Sequence, residues 1–277
     1  HPNVFCALTL YRLHLVIPIE NKKRELTMSL ETKNTDHKEN FIKILASFDR
    51  SKGKQEHFRN FCEMAYCSLA KQTARSPEIA ERLESRYMAI VKSYSNKDDI
   101  QKIPRLMELT ILALNEGGCD FLGEIASEFE ILDKKNGQFF TPYHISKMMT
   151  LISMPDIPSL IEKDGFFSLS DPAAGAGCMI LAAADIVDEK GFNSMECMSV
   201  QAIELNKTTY YMLYVQLALR GVSAEVIHGN SLTLETFESA YTPSAIYFLG
   251  KHGRMFKTSE EGKPIKKADV QLELFDF

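Results

Sequence analysis

The sequence predicts an α/β protein: an incomplete Rossmann-like sheet preceded by an α-helical domain. Three observations carry this. Residues 38–130 place apolar side chains at helical spacing throughout. After Gly137 the pattern changes to short apolar strands alternating with helices. A glycine-rich turn, Asp171-Pro172-Ala173-Ala174-Gly175-Ala176-Gly177, falls between the first such strand and the helix after it.

Phe41, Ile42, Ile44 and Leu45 share one helix face, as do Ile79, Leu83, Tyr87, Ile90 and Val91, and then Ile103, Leu106, Leu109 and Leu112. Ser76-Pro77-Glu78 pairs an N-cap residue with proline at the first helical position, and Asn115-Glu116-Gly117-Gly118 is a stop signal. In the second half, strands are expected at Phe166 to Leu169, Met198 to Glu204, Glu225 to His228 and Ile246 to Leu249. Helices are expected from Cys178 and over Lys207 to Leu219. The expected organisation is a peripheral N-terminal extension (1–37), a helical domain (38–135), an α/β domain (136–250) and a flexible tail (251–277).

With 45% hydrophobic and 25% charged residues among 277, the chain has the composition of a soluble protein with a sizeable core. Its formal net charge of −5 supplies no general positive field, so any contact with DNA must come from a local basic patch or a partner. The six cysteines form no C-x-x-C pair and stand near no histidine at zinc-ligand spacing, so they read as reduced packing thiols of a cytoplasmic protein. Arg12 and His14 interrupt the longest apolar run, Val4 to Ile19, and no membrane-spanning helix is expected.

Glycines in the turn at 171–177 let the backbone approach a ligand closely, and the helix that follows aims its free N–H groups outward, which suits a carboxylate or other anion. Glu204, ending the next strand, stands where nucleotide-binding sheets place an acid to accept both ribose hydroxyls. Asn230 follows the third strand, within reach of an adenine rim. Such sheets bind ligands at the carboxyl ends of their strands, so the three groups are expected to converge on one crevice.

At these residues the chain resembles the N-6 adenine-specific DNA methylases, including modification subunits of type I restriction systems. The resemblance rests on Gly137-Gln138-Phe139-Phe140-Thr141-Pro142 followed by Asp171-Pro172-Ala173-Ala174-Gly175-Ala176-Gly177, and spans roughly Gly137 to Leu232. It implies a methyltransferase sheet that binds S-adenosylmethionine and acts on DNA, with a partner subunit. Phe139, Thr141 and Pro142 match the segment packing on the methionine end of the cofactor. Asp171, Pro172, Ala173, Gly175 and Gly177 match its cradle, and Glu204 the ribose-binding acid. Asn230 and Ser231 match the adenine-contacting loop, with Asn where many members have Asp. The family's chemistry also needs an Asn/Asp-Pro-Pro-aromatic motif to hold the target amine and stack the flipped base. The sequence contains no Pro-Pro dipeptide; the nearest candidate by position is Tyr241-Thr242-Pro243-Ser244, and the catalytic residues stay unassigned.

Two alternatives accompany that reading: a non-catalytic methylase-like regulatory or anti-restriction protein, and a truncated methylase that needs a partner. His144 and His228 are expected to be structural, because the amine loses its proton after transfer and needs no strong base; Cys178 and Cys197 are expected to pack. In the tail, Gln271, Leu272, Leu274 and Phe275 are similar to the short peptide that docks bacterial proteins on the DNA polymerase sliding clamp.

Overall fold

The computed structural model describes residues 26–129, 141–154, 156–162 and 164–256, with side chains from residue 36 onward. Phe139, Cys6 and the terminal motif at Gln271, Leu272, Leu274 and Phe275 lie outside the described residues.

The first half is helical: α1 (Leu26–Ala46), α2 (Lys54–Ala70), α3 (Pro77–Ser93), α4 (Lys97–Glu116) and α5 (Phe121–Glu128). The capping signals operate as the sequence implies. Ser76 accepts a hydrogen bond from Ile79 N ahead of Pro77, and Gly117 ends α4 with a φ of 73°. Helix α1 starts at Leu26, upstream of the periodicity first legible near Lys38. Pro104 sits inside α4 without ending it, although its ring nitrogen cannot make the intrahelical bond to Ile100 O.

The second half alternates. Helices α6 (Tyr143–Ser153) and α7 (Ile157–Glu162) lead into β1 (Phe167–Asp171); then follow α8 (Cys178–Glu189), the short α9 (Ser194–Cys197), β2 (Met198–Glu204), α10 (Lys207–Arg220), β3 (Ser223–Asn230), β4 (Glu235–Tyr241) and α11 (Pro243–His252). Strands β1, β2 and β3 pair in parallel, β4 returns antiparallel to β3, and the sheet order is β1-β2-β3-β4. The fourth strand is therefore not Ile246 to Leu249, which belongs to α11. Pro243 at the first helical position starts that helix, and four apolar residues in a row cannot by themselves distinguish a strand from a buried helix turn.

Phe167, Leu169, Val200, Ala202, Ala224 and Val226 turn one face of the sheet into the main core, where α10 packs and where α2, α4 and α5 close over α10. That cluster runs without a break from Phe41 in α1 to Val226 in β3. The opposite face carries polar pairs near the starts of the strands, with the hydroxyls of Ser168 and Ser199 2.9 Å apart and Gln201 donating to Glu225 at 3.1 Å. Helix α11 packs on this side of the sheet through Phe166, Ala245, Phe248 and Met255. A parallel sheet is ordinarily buried on both faces. Among the described residues, nothing pairs with the outer edge of β1.

Helix α6 packs chiefly on α8 and is inside out. It buries Ser146 and Thr150, and exposes Met148, Met149 and Ile152, the last at 73%. Asp185 of α8 ties this region together: it accepts from the Tyr143 hydroxyl of α6, from Gly118 N at 2.8 Å and from Arg220 of α10 at 2.8 Å. No helix is long and apolar enough to cross a membrane among the described residues.

Candidate functional site

The turn after β1 is folded by its own side chains and by β2. Asp171 Oδ1 accepts from Ala173 N at 3.1 Å, Ala174 N donates to Ile203 O at 3.0 Å, and Gly177 N donates to Ala174 O at 2.8 Å. Gly175 and Gly177 hold φ of 56° and 98°, in the left-handed region that favours glycine. At Gly177 a Cβ would lie 2.8 Å from Leu213 Cδ1, so the residue also lets α10 approach the turn. Helix α8 starts at Cys178 and points its first N–H groups into the space above the sheet.

Glu204 closes that space from β2. Its carboxylate is buried and accepts from Asn206 N at 2.6 Å and Gly175 N at 3.0 Å, which joins the end of β2 to the glycine turn. Burial pushes its pKa up, and the N–H groups of Asn206 and Gly175 pull it back down. Burial also raises the Asp171 carboxyl, against the Ala173 N–H. Asn230 ends β3, and its side-chain oxygen accepts from Leu232 N at 3.0 Å and Thr233 N at 3.3 Å. Its oxygen thus winds the turn into β4 and its amide nitrogen remains the group to offer a ligand. Ser231 follows in the same turn.

Asp171, Gly175, Gly177, Glu204 and Asn230 accordingly meet at the carboxyl ends of three adjacent strands, with Pro172 and Ala173 inside the turn. Thr141 and Pro142 lie exposed at the start of α6 and are related to the turn through the packing of α6 on α8. Sequence reasoning missed Leu205, next to Glu204, and Leu232, next to Ser231; both are exposed apolar side chains, Leu232 at 86%. Their exposure has no sequence signature of its own.

The candidate catalytic segment Tyr241-Thr242-Pro243-Ser244 is corrected by its position. Thr242 Oγ1 donates to Val222 O at 2.7 Å and accepts from Ala224 N at 2.9 Å, so it is fastened to the start of β3. Ala224 and Asn230 are separated by about 20 Å of strand at 3.3 Å per residue. The segment caps α11 at the far end of the sheet, away from the crevice.

His228 is a structural histidine. Its Nε2 lies 3.1 Å from Leu205 O and its ring stacks on Tyr210 at 5.3 Å. His144 is exposed. Cys178 and Cys197 are buried packing residues, and burial raises the Cys178 thiol to about 12.

A sheet with three parallel strands, a glycine turn after β1, a buried acid ending β2 and an amide ending β3 defines a Rossmann-like α/β protein. The chain belongs to the N-6 DNA methylase family, whose model matches residues 121–263, just over half of its length. It is 26% identical over 111 residues to the type I restriction enzyme MpnII methylase subunit of Mycoplasma pneumoniae, covering 39% of this chain and 19% of that one. The fold is similar to that of the type I restriction-modification methyltransferase subunit from Streptococcus thermophilus: 16% identity, 70% of this chain, 56% of the other, TM-score 0.34. It is also similar to a class I S-adenosylmethionine-dependent methyltransferase from Listeria monocytogenes: 12% identity, 83% and 71% of the two chains, TM-score 0.33. The chain thus spans about a fifth of the curated relative and about half of the first of these structures.

Proposed function

We propose that the chain is a DNA adenine methylase-like protein that binds S-adenosylmethionine in the crevice between the glycine turn, Glu204 and Asn230. The observation that carries this is the buried Glu204 carboxylate, held by backbone N–H groups at the end of β2 where a ribose would meet it. Gly175 and Gly177 leave the cradle open to backbone contact, and the first turn of α8 suits the carboxylate of a methionine moiety. Thr141 and Pro142, at the start of α6, flank that end. When bound, the cofactor supplies an electrophilic methyl group for direct in-line transfer; the protein contributes orientation and exclusion of water. Calorimetry is the test: Glu204→Gln and Asp171→Ala each weaken S-adenosylmethionine binding at least about tenfold, the size of a lost charge-assisted hydrogen bond. Unchanged affinity in both variants would refute the site.

A second reading is favoured by two features, the edge of β1, which is unpaired among the described residues, and the exposed apolar stripe of α6. A second polypeptide that adds strands beside β1 would cover both and bring the missing Asn/Asp-Pro-Pro-aromatic motif. Under that reading the chain acts on DNA only with its partner, and under a purely regulatory reading it binds the cofactor and transfers nothing. Methyl transfer to DNA by the mixture, and by neither chain alone, separates them. Cytoplasmic placement follows from action on DNA. No observation favours sliding-clamp docking through residues 271–275, which lie outside both the described residues and the family match.

A further inference from the structure

Gln216 of α10 is buried, and its amide oxygen and both of its N–H groups are engaged. Oε1 accepts from Leu122 N at 2.9 Å, while Nε2 donates to Asp120 Oδ1 at 2.7 Å and to Ala176 O at 2.8 Å. The start of α5, the middle of α10 and the glycine turn therefore meet on one side chain. Two other bonds tie the turn to β2, from Ala174 N to Ile203 O and from Gly175 N to Glu204. Gln216 ties it to the helical half.

The carbonyl that Gln216 holds belongs to the peptide entering Gly177. The N–H of that peptide donates to Ala174 O at 2.8 Å, so the peptide plane is fixed at both ends. Gly177 makes such a hold necessary. It sits at a φ of 98°, and glycine adopts either sign of φ at little cost, so its own backbone does not resist a flip of this peptide. Leu213 of α10 packs closely on the turn, within 2.8 Å of where a Cβ on Gly177 would lie. An apolar contact of that kind sets a distance, but it does not tell the two ends of a peptide apart; a hydrogen-bond donor does.

We propose that Gln216 is a positioning residue for the crevice: it locks the Ala176–Gly177 peptide in the orientation that opens the first turn of α8 to a ligand, and joins that orientation to the packing of α5. Gln216 acts through the turn and touches no ligand itself. That the ligand is S-adenosylmethionine rests on the methylase reading above.

The test combines S-adenosylmethionine calorimetry with amide hydrogen exchange on the full chain. Gln216→Met fills the space without donor or acceptor. It weakens cofactor binding at least about tenfold, and it speeds exchange of the Gly177 N–H at least about tenfold more than that of the β2 amides. Gln216→Glu separates positioning from packing. Its carboxylate keeps an oxygen for Leu122 N but cannot donate to Ala176 O, whereas the protonated acid, favoured by burial, donates again. Affinity relative to wild type is therefore low at about pH 8 and recovers at about pH 5.5, while Gln216→Met stays weak at both. Asp120, Glu124, Cys119 and Cys178 are the titratable groups around this point, and all are present in the wild type, which is the reference at each pH. Native affinity of both variants at the higher pH, or Gly177 exchange that rises no more than that of β2, would overturn the proposal. If Gln216→Met does not fold, the pH profile of Gln216→Glu decides alone. A wild type that fails to bind S-adenosylmethionine sinks the cofactor reading instead, and Gly177 exchange then judges the lock by itself.

Discussion

Asp120 caps α5 from a fully buried position, where its Oδ1 accepts from Gly123 N at 3.1 Å and from Gln216 Nε2 at 2.7 Å. Burial raises its pKa from 3.8 to about 6, against those two donors. The folded state therefore holds the proton more tightly than the unfolded chain. Its contribution to stability is full below about pH 4 and is lost as pH rises through 6, a swing of roughly 3 kcal/mol. Asp120→Asn keeps an oxygen for both donors and removes the ionisation, so urea titrations between pH 4 and 7 lose that slope relative to wild type. If the two proteins change in parallel with pH, Asp120 is ionised throughout. At this scale the candidate residues could be named from the sequence, because Asp171, Gly175, Gly177, Glu204 and Asn230 each follow or end a strand that its apolar pattern makes legible. Thr242 could not be placed: only the β3–β4 pairing shows that it faces the opposite end of the sheet.

Helices and strands were legible where one face is buried. Ile79, Leu83, Tyr87, Ile90 and Val91 predict α3, and Met198 to Glu204 matches β2 to the residue. Strand β4 escaped notice because it lies at an edge and pairs its charged residues instead of burying apolar ones; Glu238 accepts from Arg86 at 2.9 Å and from the Tyr66 hydroxyl at 3.0 Å. Helix α6 inverts the usual inference, since its apolar stripe faces out and its hydroxyls face α8. The consequence is a reversal of expected sensitivities. Ile152→Lys changes the thermal midpoint negligibly, within about 0.5 kcal/mol, whereas Ser146→Leu, inserted against α8, costs about 1–3 kcal/mol. A large loss at Ile152 would mean that the stripe is already covered in the full chain.

Across the whole molecule, the helical half and the sheet share one core and one polar clasp. Arg86 of α3 donates to Glu63 of α2 at 2.9 Å, to Glu238 of β4 at 2.9 Å and to the Tyr211 hydroxyl of α10; Tyr210 donates to Tyr66 at 2.9 Å. Arg86→Met strands two half-buried carboxylates without their cation, a loss of about 2–4 kcal/mol. Calorimetry of the wild type should give one transition, shifted down as a unit in Arg86→Met. Two transitions, with only the first moved, would show that the halves unfold separately. The shared core was not legible in advance. Each amphipathic face announces that it is buried but not what covers it, and the clasp's bonds from Arg86 to Glu238 and Tyr211 and from Tyr210 to Tyr66 each join residues more than a hundred positions apart.

The tyrosine cluster at that clasp gives the molecule an optical property. The sequence has no tryptophan, so its near-ultraviolet emission comes from its ten tyrosines. Three of them, Tyr210, Tyr211 and Tyr214, lie within 5.2 Å of the Tyr66 ring, and Tyr210 is stacked under His228, whose nitrogen holds the carbonyl beside Glu204. On the proposed cofactor reading, one hydrogen bond and one ring contact link Leu205 to a buried fluorophore, and the expected outcome of adding S-adenosylmethionine to the unlabelled protein is a change in its tyrosine emission.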